Sequence, residues 1–267
     1  MILANHGIIS SSGSSFDADA LAFITAASIT DNTQKTAVNT LVTDLKTYNI
    51  WAKMKAIYPF VGGSATSHKF NLKDPRDIDA AFRLVFNGGW THSATGALPN
   101  GSTGYADTKL NLNITQPNSD SHLSYYSRTL QNAATGEIGG LDSGTSSANS
   151  FYLSYSGTLN GYNGFSKSVN VAAQNNQTQG YYLLNAHDLQ LKAFKNSSQL
   201  GTTTALTVYN TVNNNIYIGA VNDTSVANYY SSKESAFASI GDGLSDTEAA
   251  DLYTAVQIFN TTLSRNV

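Results

Sequence analysis

The 267-residue sequence predicts a mainly β protein, an antiparallel sandwich of two sheets with a helical segment before it and a helix closing it. Three observations predict this. Charged residues make up only 12% of the chain, while Ser, Thr, Asn, Gly and 15 Tyr are prominent, which is the palette of strands and polar loops. Beyond residue 120, short apolar stretches bounded by turn residues recur at roughly the ten-residue spacing of a sandwich. The apolar period becomes helical at both ends, before Ile50 and after Ser245.

Residues 1–50 form the predicted helical segment, packed on or extending from the sandwich of residues 51–267. In "FDADALAFITAAS" Asp17 can cap a helix that sets Leu21 and Ile24 on one face. In "ITDNTQKTAVNTLVTDLKTYNI" Thr30 or Asp31 can cap, and Val38, Leu41, Val42 and Leu45 fall three and four apart. Both read as packing helices. A strand is expected over residues 51–58, ended by Pro59. "SHKFNLKD" and "AAFRLVFNGG" alternate as strands do, with His68, Phe70 and Leu72, then Phe82, Leu84 and Phe86, each on one side. Residues 88–108, rich in Gly, Ser, Thr and Asn, read as a long surface loop carrying Trp90 and Tyr105.

Eight strands are expected beyond it, in "SHLSYYSRT", "TGEIGGL", "SFYLSYS", "FSKSVNV", "GYYLLNA", "DLQLKAFKN", "NNIYIGA" and "SAFASIG", with "NGYNG" and "NSSQLG" read as turns. The closing helix has Ser245 and Glu248 as a capping box and Ala249, Leu252, Val256, Phe259 and Leu263 as one apolar stripe. Asp246 suits its positive start and Arg265 its negative end. Such a stripe must be buried against the open end or a face of the sandwich.

Composition also bounds function. The net charge of -3 and the absence of a basic stripe disfavour nucleic acid as a partner. No apolar run is long enough to span a membrane. No cysteine is present, which removes disulfides and thiolate metal sites. The first residues lack a secretory pattern, so the protein is expected to be made in a bacterial cytoplasm and used without Sec export if Met1 is the native start.

Catalytic motifs are scarce. A glycosidase needs two facing carboxylates, yet Glu137, Glu234 and Glu248 each stand without an acid two residues away. The five histidines are isolated in sequence, and neither a nucleophile elbow nor a phosphate loop occurs. "KDPRDIDAAF" gathers Asp74, Asp77 and Asp79, hard oxygens that can be weighed for calcium. A turn with an ion pair to Arg76 is the favoured reading, since one compact cluster rarely supplies the roughly six to eight oxygens calcium takes, so no cofactor is expected. Aromatic rings can stack on sugars, and among Trp90, Tyr105, Tyr125, Tyr126, Tyr162, Tyr181, Tyr182, Tyr229 and Tyr230 the pair in the polar segment, Trp90 and Tyr105, is the candidate for carbohydrate or partner binding. The paired tyrosines read as strand residues alternating between core and surface.

Two resemblances add to this. "LQLKAFKNSSQLG", "NNIYIGAVND" and "SAFASIGDGLSDTEAADLYTAVQIFNTTL" resemble the laminin-G/concanavalin-A-like jelly-roll superfamily, which implies a lectin-like jelly roll with a terminal helix. Residues 16–110, from "DADALAFITAAS" to "HSATGALPNG", are similar to a block in virion structural proteins of tailed bacteriophages. That resemblance implies a non-enzymatic capsid-decoration, collar, tail or fibre protein located on the virion, a homo-oligomer whose partners are other virion proteins. The alternatives are a carbohydrate-binding lectin module for host adhesion and, third, a polysaccharide-degrading enzyme with Asp77 and Asp79 as its acids.

Overall fold

The protein is described by a computed structural model, whose described residues are 16–115, 120–144, 147–155, 157–164, 170–206 and 212–267. The reading of the first fifteen residues and His6 lies outside them. Among the described residues the chain forms an antiparallel jelly-roll sandwich with helices laid on one sheet, so three layers are stacked.

The inner sheet runs in the order Ser198–Ala205, Gln190–Lys195, Gly180–His187, Ser121–Ser127, Ser235–Asp242, Gly96–Pro99, Trp90–Ser93, with Met54–Tyr58 also paired to Ser235–Asp242. The outer sheet runs Asn170–Gln174, Thr158–Gly164, Ser147–Tyr155, Ile138–Asp142, Asn215–Ile218, Tyr105–Asn111, Val85–Asn87. A short hairpin, Val221–Asp223 with Val226–Asn228, joins its middle through a parallel pairing of Asn222 with Gly140.

Alternation along the inner strands feeds two cores at once. Tyr125, Tyr182, Leu184, Ala238 and Ile240 point between the sheets. Their neighbours Tyr126, Tyr181, Leu183 and Phe237 point to the helix layer. The pairs Tyr125–Tyr126 and Tyr181–Tyr182 therefore alternate between two cores rather than between core and water, and all four are fully buried. Helix Asn32–Thr47 starts on Asp31, whose carboxylate accepts from Gln34 N, and buries Val38, Leu41, Val42 and Leu45. Asp17 caps helix Ala18–Ala26. There Phe23 and Ala20 join Ile24 in the core while Leu21 is exposed, a correction to the predicted face.

The closing helix Asp246–Thr262 has the expected reciprocal capping box and fully buries Leu252, Val256 and Phe259. It lies on the face of the inner sheet beside Asn32–Thr47. Arg265 departs from its predicted place. It lies beyond the helix end and turns inward, fully buried, donating to Asn260 Oδ1 (2.8 Å) and the carbonyls of Pro59 (2.6 Å), Phe60 (2.9 Å) and Ala236 (2.7 Å). Three carbonyls that end strands and loops take the guanidinium that the helix end was expected to use.

Several segments differ from expectation for local reasons. Residues 51–53 form a 3-10 turn, and the strand Met54–Tyr58 begins after it and stops before Pro59 as predicted. "SHKFNLKD" is not a strand. Ser64 and Ser67 cap each other around the short helix Ala65–His68. Asn71 then replaces strand pairing with side-chain bonds, accepting from Ile57 N (2.9 Å) and donating to Lys55 O and Ala81 O. In "AAFRLVFNGG" Phe82 adopts a left-handed conformation (φ 58), which confines the strand to Val85–Asn87. Residues 88–108 hold the hairpin Trp90–Ser93/Gly96–Pro99 and the start of Tyr105–Asn111 instead of one long loop. Asn100 Oδ1 accepts from the N–H groups of Ser102, Thr103 and Gly104 and so closes the turn between them. "NGYNG" lies in the strand Thr158–Gly164, and the "NSSQLG" turn is confined to its first residues, ahead of Ser198–Ala205. Of "FSKSVNV", residues 165–169 fall outside the described residues and the strand is Asn170–Gln174.

Candidate functional site

Strand Ser147–Tyr155 of the outer sheet points Phe151 and Leu153 into the sandwich. Ala148, Ser150 and Tyr152 therefore face outward. The register against Thr158–Gly164 shifts between Tyr152 and Tyr155. This bulge carries Tyr155 onto the face of Tyr152, although residues three apart on a regular strand would point to opposite faces. Across the ladder Tyr152 pairs with Asn160 and Ser150 with Tyr162.

The result is an open basin of about 240 Å³ lined by Tyr152, Tyr155, Tyr162, Tyr229, Ser150 and Asn160, with Leu141 and Ala148 at one end. Tyr152 is its centre. Tyr155 (6.1 Å, 85°), Tyr162 (5.8 Å, 89°) and Tyr229 (5.5 Å, 84°) each stand nearly perpendicular to it, the edge-to-face arrangement aromatic rings favour. Tyr152 is 6% exposed, whereas Tyr155 and Tyr229 are 43% and 39% exposed, so part of the surface of these two residues remains open.

Backbone geometry sets these rings. A Cβ on Gly136 would lie 2.4 Å from Val221 Cγ2 and 3.0 Å from Tyr152 Cε1, so the absence of a side chain there makes room for the central ring. Tyr229 has φ 57, a left-handed backbone that costs an aromatic residue about 1–2 kcal/mol. Its carbonyl accepts from Gly136 N at 2.8 Å. Such outliers concentrate where a surface must be shaped for a partner.

The polar groups are few and uncharged. Ser150 Oγ is buried with no hydrogen-bond partner; the Tyr152 hydroxyl approaches it without bonding geometry. Burial also raises the Tyr152 hydroxyl well above the usual tyrosine range, so it stays protonated. Asn160 donates to Thr158 O (3.1 Å), and its carbonyl oxygen has no partner among the described residues. The hydroxyls of Tyr155 and Tyr229 have no partner among the described residues.

Beneath the basin lies a buried ion pair. Lys233 Nζ is 2.9 Å from Glu137 Oε1, and both side chains are 0% exposed. Thr135, Ser231 and Leu153 N complete the donors around Glu137. Glu234 is held by Arg128 (2.8 Å) and Thr95 (2.6 Å), and Glu248 by Lys53 (2.6 Å) and its cap. All three glutamates thus have structural partners.

The residues singled out in the sequence are dispersed. Trp90 is half-buried on the edge hairpin of the inner sheet. Its Nε1 donates to Asn87 O (3.1 Å), its ring meets Phe86 (5.2 Å), and a Cβ on Gly219 would lie 2.8 Å from it. Tyr105 belongs to the outer sheet and stacks on Tyr217 at 4.7 Å and 23°. Neither lines the basin. Asp74 pairs with Arg76 (2.5 Å), Asp77 with Lys69 (2.5 Å) and Arg83 (3.1 Å), and Asp79 with Arg83 (2.9 Å). These cations hold the carboxyls of Asp74 and Asp77 below their usual range. Among the described residues no group of three or more acids, histidines or cysteines is gathered to hold a metal ion.

Two histidines far apart in sequence meet. His68 Nδ1 lies 2.9 Å from His92 Nδ1, and desolvation pushes His68 down to about 3. His187 pairs with Asp120 beside a smaller cavity of about 150 Å³ that Lys192 and Asp246 also line. Of the basin residues, Tyr162 and Tyr229 are among the aromatics noted in the sequence. Tyr152 and Tyr155 are not, because "SFYLSYS" shows no sign of the bulge that unites them.

No family model matches the chain, and no curated protein matches it in sequence. Solved structures match its fold. A mutant of Trypanosoma rangeli sialidase displaying trans-sialidase activity aligns with TM-score 0.52 and 12% identity, over 83% of this chain and 39% of that one. Domain 4 of AbnA, a GH43 extracellular arabinanase from Geobacillus stearothermophilus, in complex with arabinotriose, aligns with TM-score 0.44 and 15% identity, over 75% and 98%. The CBM40 of the Ruminococcus gnavus IT-sialidase aligns with TM-score 0.40 and 13% identity, over 62% and 92%. The chain spans well under two thirds of the sialidase chains it matches, 28% of one and 39% of another.

Proposed function

We propose that the protein is a non-catalytic glycan-binding module that seats a saccharide in the tyrosine basin of the outer sheet. The observation that carries this reading is the arrangement of Tyr155 and Tyr229, half-exposed and braced against Tyr152, around the Asn160 amide and a Ser150 hydroxyl that has no partner among the described residues. Carbon-bound hydrogens on one face of a pyranose ring supply the apolar surface that a tyrosine face accepts. The hydroxyls of the same ring supply partners for Ser150, Asn160 and the tyrosine O–H groups. No carboxylate or histidine lines the basin among the described residues, so the described walls offer binding groups and no acid–base pair.

The setting belongs to the same proposal. The resemblance of residues 16–110 supports a place on a tailed-phage particle, where a self-associated glycan-binding surface protein would serve adhesion to a host. Mass spectrometry of purified particles tests the setting, and absence from the particle removes it while leaving the basin reading intact.

A glycan array followed by calorimetry on the hits tests binding. Tyr229→Ala and Tyr155→Ala are each expected to weaken a hit by about tenfold or more, equivalent to about 1.4 kcal/mol, with the melting temperature little changed. Binding that is insensitive to both substitutions overturns the proposal.

A further inference from the structure

We infer that the basin selects neutral glycans and rejects acidic ones, so that sialylated, uronate-bearing and sulfated sugars are not its ligands. This rests on the proposed glycan-binding role and specifies its ligand class.

A bound carboxylate or sulfate loses most of its hydration and must be compensated by a cation or several fixed donors. Among the described residues the basin supplies none of the first. Its described walls are four tyrosines, one serine, one asparagine and two aliphatic residues, without Lys, Arg or His. The nearest buried cation, Lys233, is fully enclosed and spent on Glu137 at 2.9 Å and Thr135 at 2.5 Å. On the same sheet Lys109 is tied to Asp107 at 2.9 Å, with strands Asn215–Ile218 and Ile138–Asp142 between it and the basin strand.

An acid beside the basin, Asp223, has the wrong sign for an anion, although it lies outside the basin walls and its carboxylate accepts from Ser143 N at 3.1 Å. Asp223 follows Val221, a basin-side residue, by two positions on one strand and so shares its face. It stands opposite Leu141, which lines the basin. The chain as a whole carries a net charge of -3.

The donors present suit neutral hydroxyl and acetamido groups instead. Ser150 Oγ and the tyrosine hydroxyls both donate and accept, and the Asn160 carbonyl accepts. At about 240 Å³ the basin is smaller than the 300–1,000 Å³ common for drug-sized ligands, which fits one or two sugar rings rather than a branched acidic antenna.

The test is an array holding neutral glycans and their sialylated, uronate and sulfated counterparts, probed with the full chain and with Tyr229→Ala. The best hits are then titrated at about 0.02 and 0.5 M salt, where exposed ion pairing differs strongly. The expected result is binding of neutral glycans only, lost in Tyr229→Ala, with affinity changing less than about twofold with salt. As a gain-of-function arm, Asp223→Lys is expected to admit acidic members not bound before. Acidic glycans bound best by the unmodified chain, lost in Tyr229→Ala and weakened by salt, would overturn the neutral selectivity and leave the glycan-binding role standing. Glycans bound equally by Tyr229→Ala, or no glycan bound at all, would overturn both.

Discussion

At the residue scale the structure turns on a few polar side chains in unusual places. Arg265 sits fully buried without a carboxylate in hydrogen-bond contact, and burial pulls its guanidinium down to about 9, still protonated at neutral pH. Its donors tie the tail of the chain to Pro59, Phe60 and Ala236. Arg265→Met should destabilise by at least about 2 kcal/mol, because three carbonyls lose their donors. A loss below about 0.5 kcal/mol in urea unfolding would show that the clasp is dispensable.

The buried histidines give a pH dependence with a definite sign. Unfolded, each imidazole takes a proton near pH 6.5; folded, desolvation lowers His122 to about 4 and His68 to about 3. Between these values the unfolded chain binds more protons, so stability is complete above pH 6.5 and falls as pH drops toward 4. The loss is about 1.4 kcal/mol per histidine for each step of one in pH over which the ring is protonated unfolded and neutral folded. The urea midpoint should therefore fall steadily from pH 6.5 to 4.5, with a shallower slope in His122→Asn. A midpoint flat across that range would contradict the burial of both rings. Trp90, wedged against Phe86 and Gly219, makes a further expectation: Trp90→Ala should lower the melting temperature and leave glycan affinity unchanged.

At the element scale the three long helices were readable and several strands were not, for one physical reason. A helix advertises itself through caps and a long apolar stripe, as Ser245, Glu248, Leu252, Val256 and Phe259 do. A strand in a twisted sandwich needs only a few residues, and tertiary pairing can overrule its composition. "NGYNG" reads as a turn yet pairs along Ser147–Tyr155, since Gly161 packs under Leu184 where a Cβ would lie 2.4 Å away. Asn71 shows the reverse, a strand-like pattern satisfied by one side chain. The basin was half legible. Tyr162 and Tyr229 stood out as aromatics, but the bulge that adds Tyr155 and the left-handed backbone of Tyr229 have no signature in the sequence. For the closing helix, Phe259→Ala should cost about 3–5 kcal/mol, as deletion of a fully buried ring does. A cost below about 1 kcal/mol would mean the helix is not part of the core.

At the scale of the whole molecule the proposed ligand surface lies apart from the two large cores. The helices cover one face of the inner sheet, and the two sheets bury a second core between them. The far face of the outer sheet is left to a small third cluster of Leu141, Ala148, Tyr152 and Val221, with Tyr162 packed on it. That cluster is the smallest of the three and is rimmed by half-exposed tyrosines, which is why it is the surface assigned to a ligand. The most direct measurement is a crystal structure of the full chain with a neutral oligosaccharide that binds it. A pyranose ring resting on Tyr155 or Tyr229, with a hydroxyl within hydrogen-bond distance of Ser150 Oγ, is the predicted result. A sugar seated elsewhere, beside Trp90 and Tyr105 for example, with the tyrosine basin empty, would contradict the account.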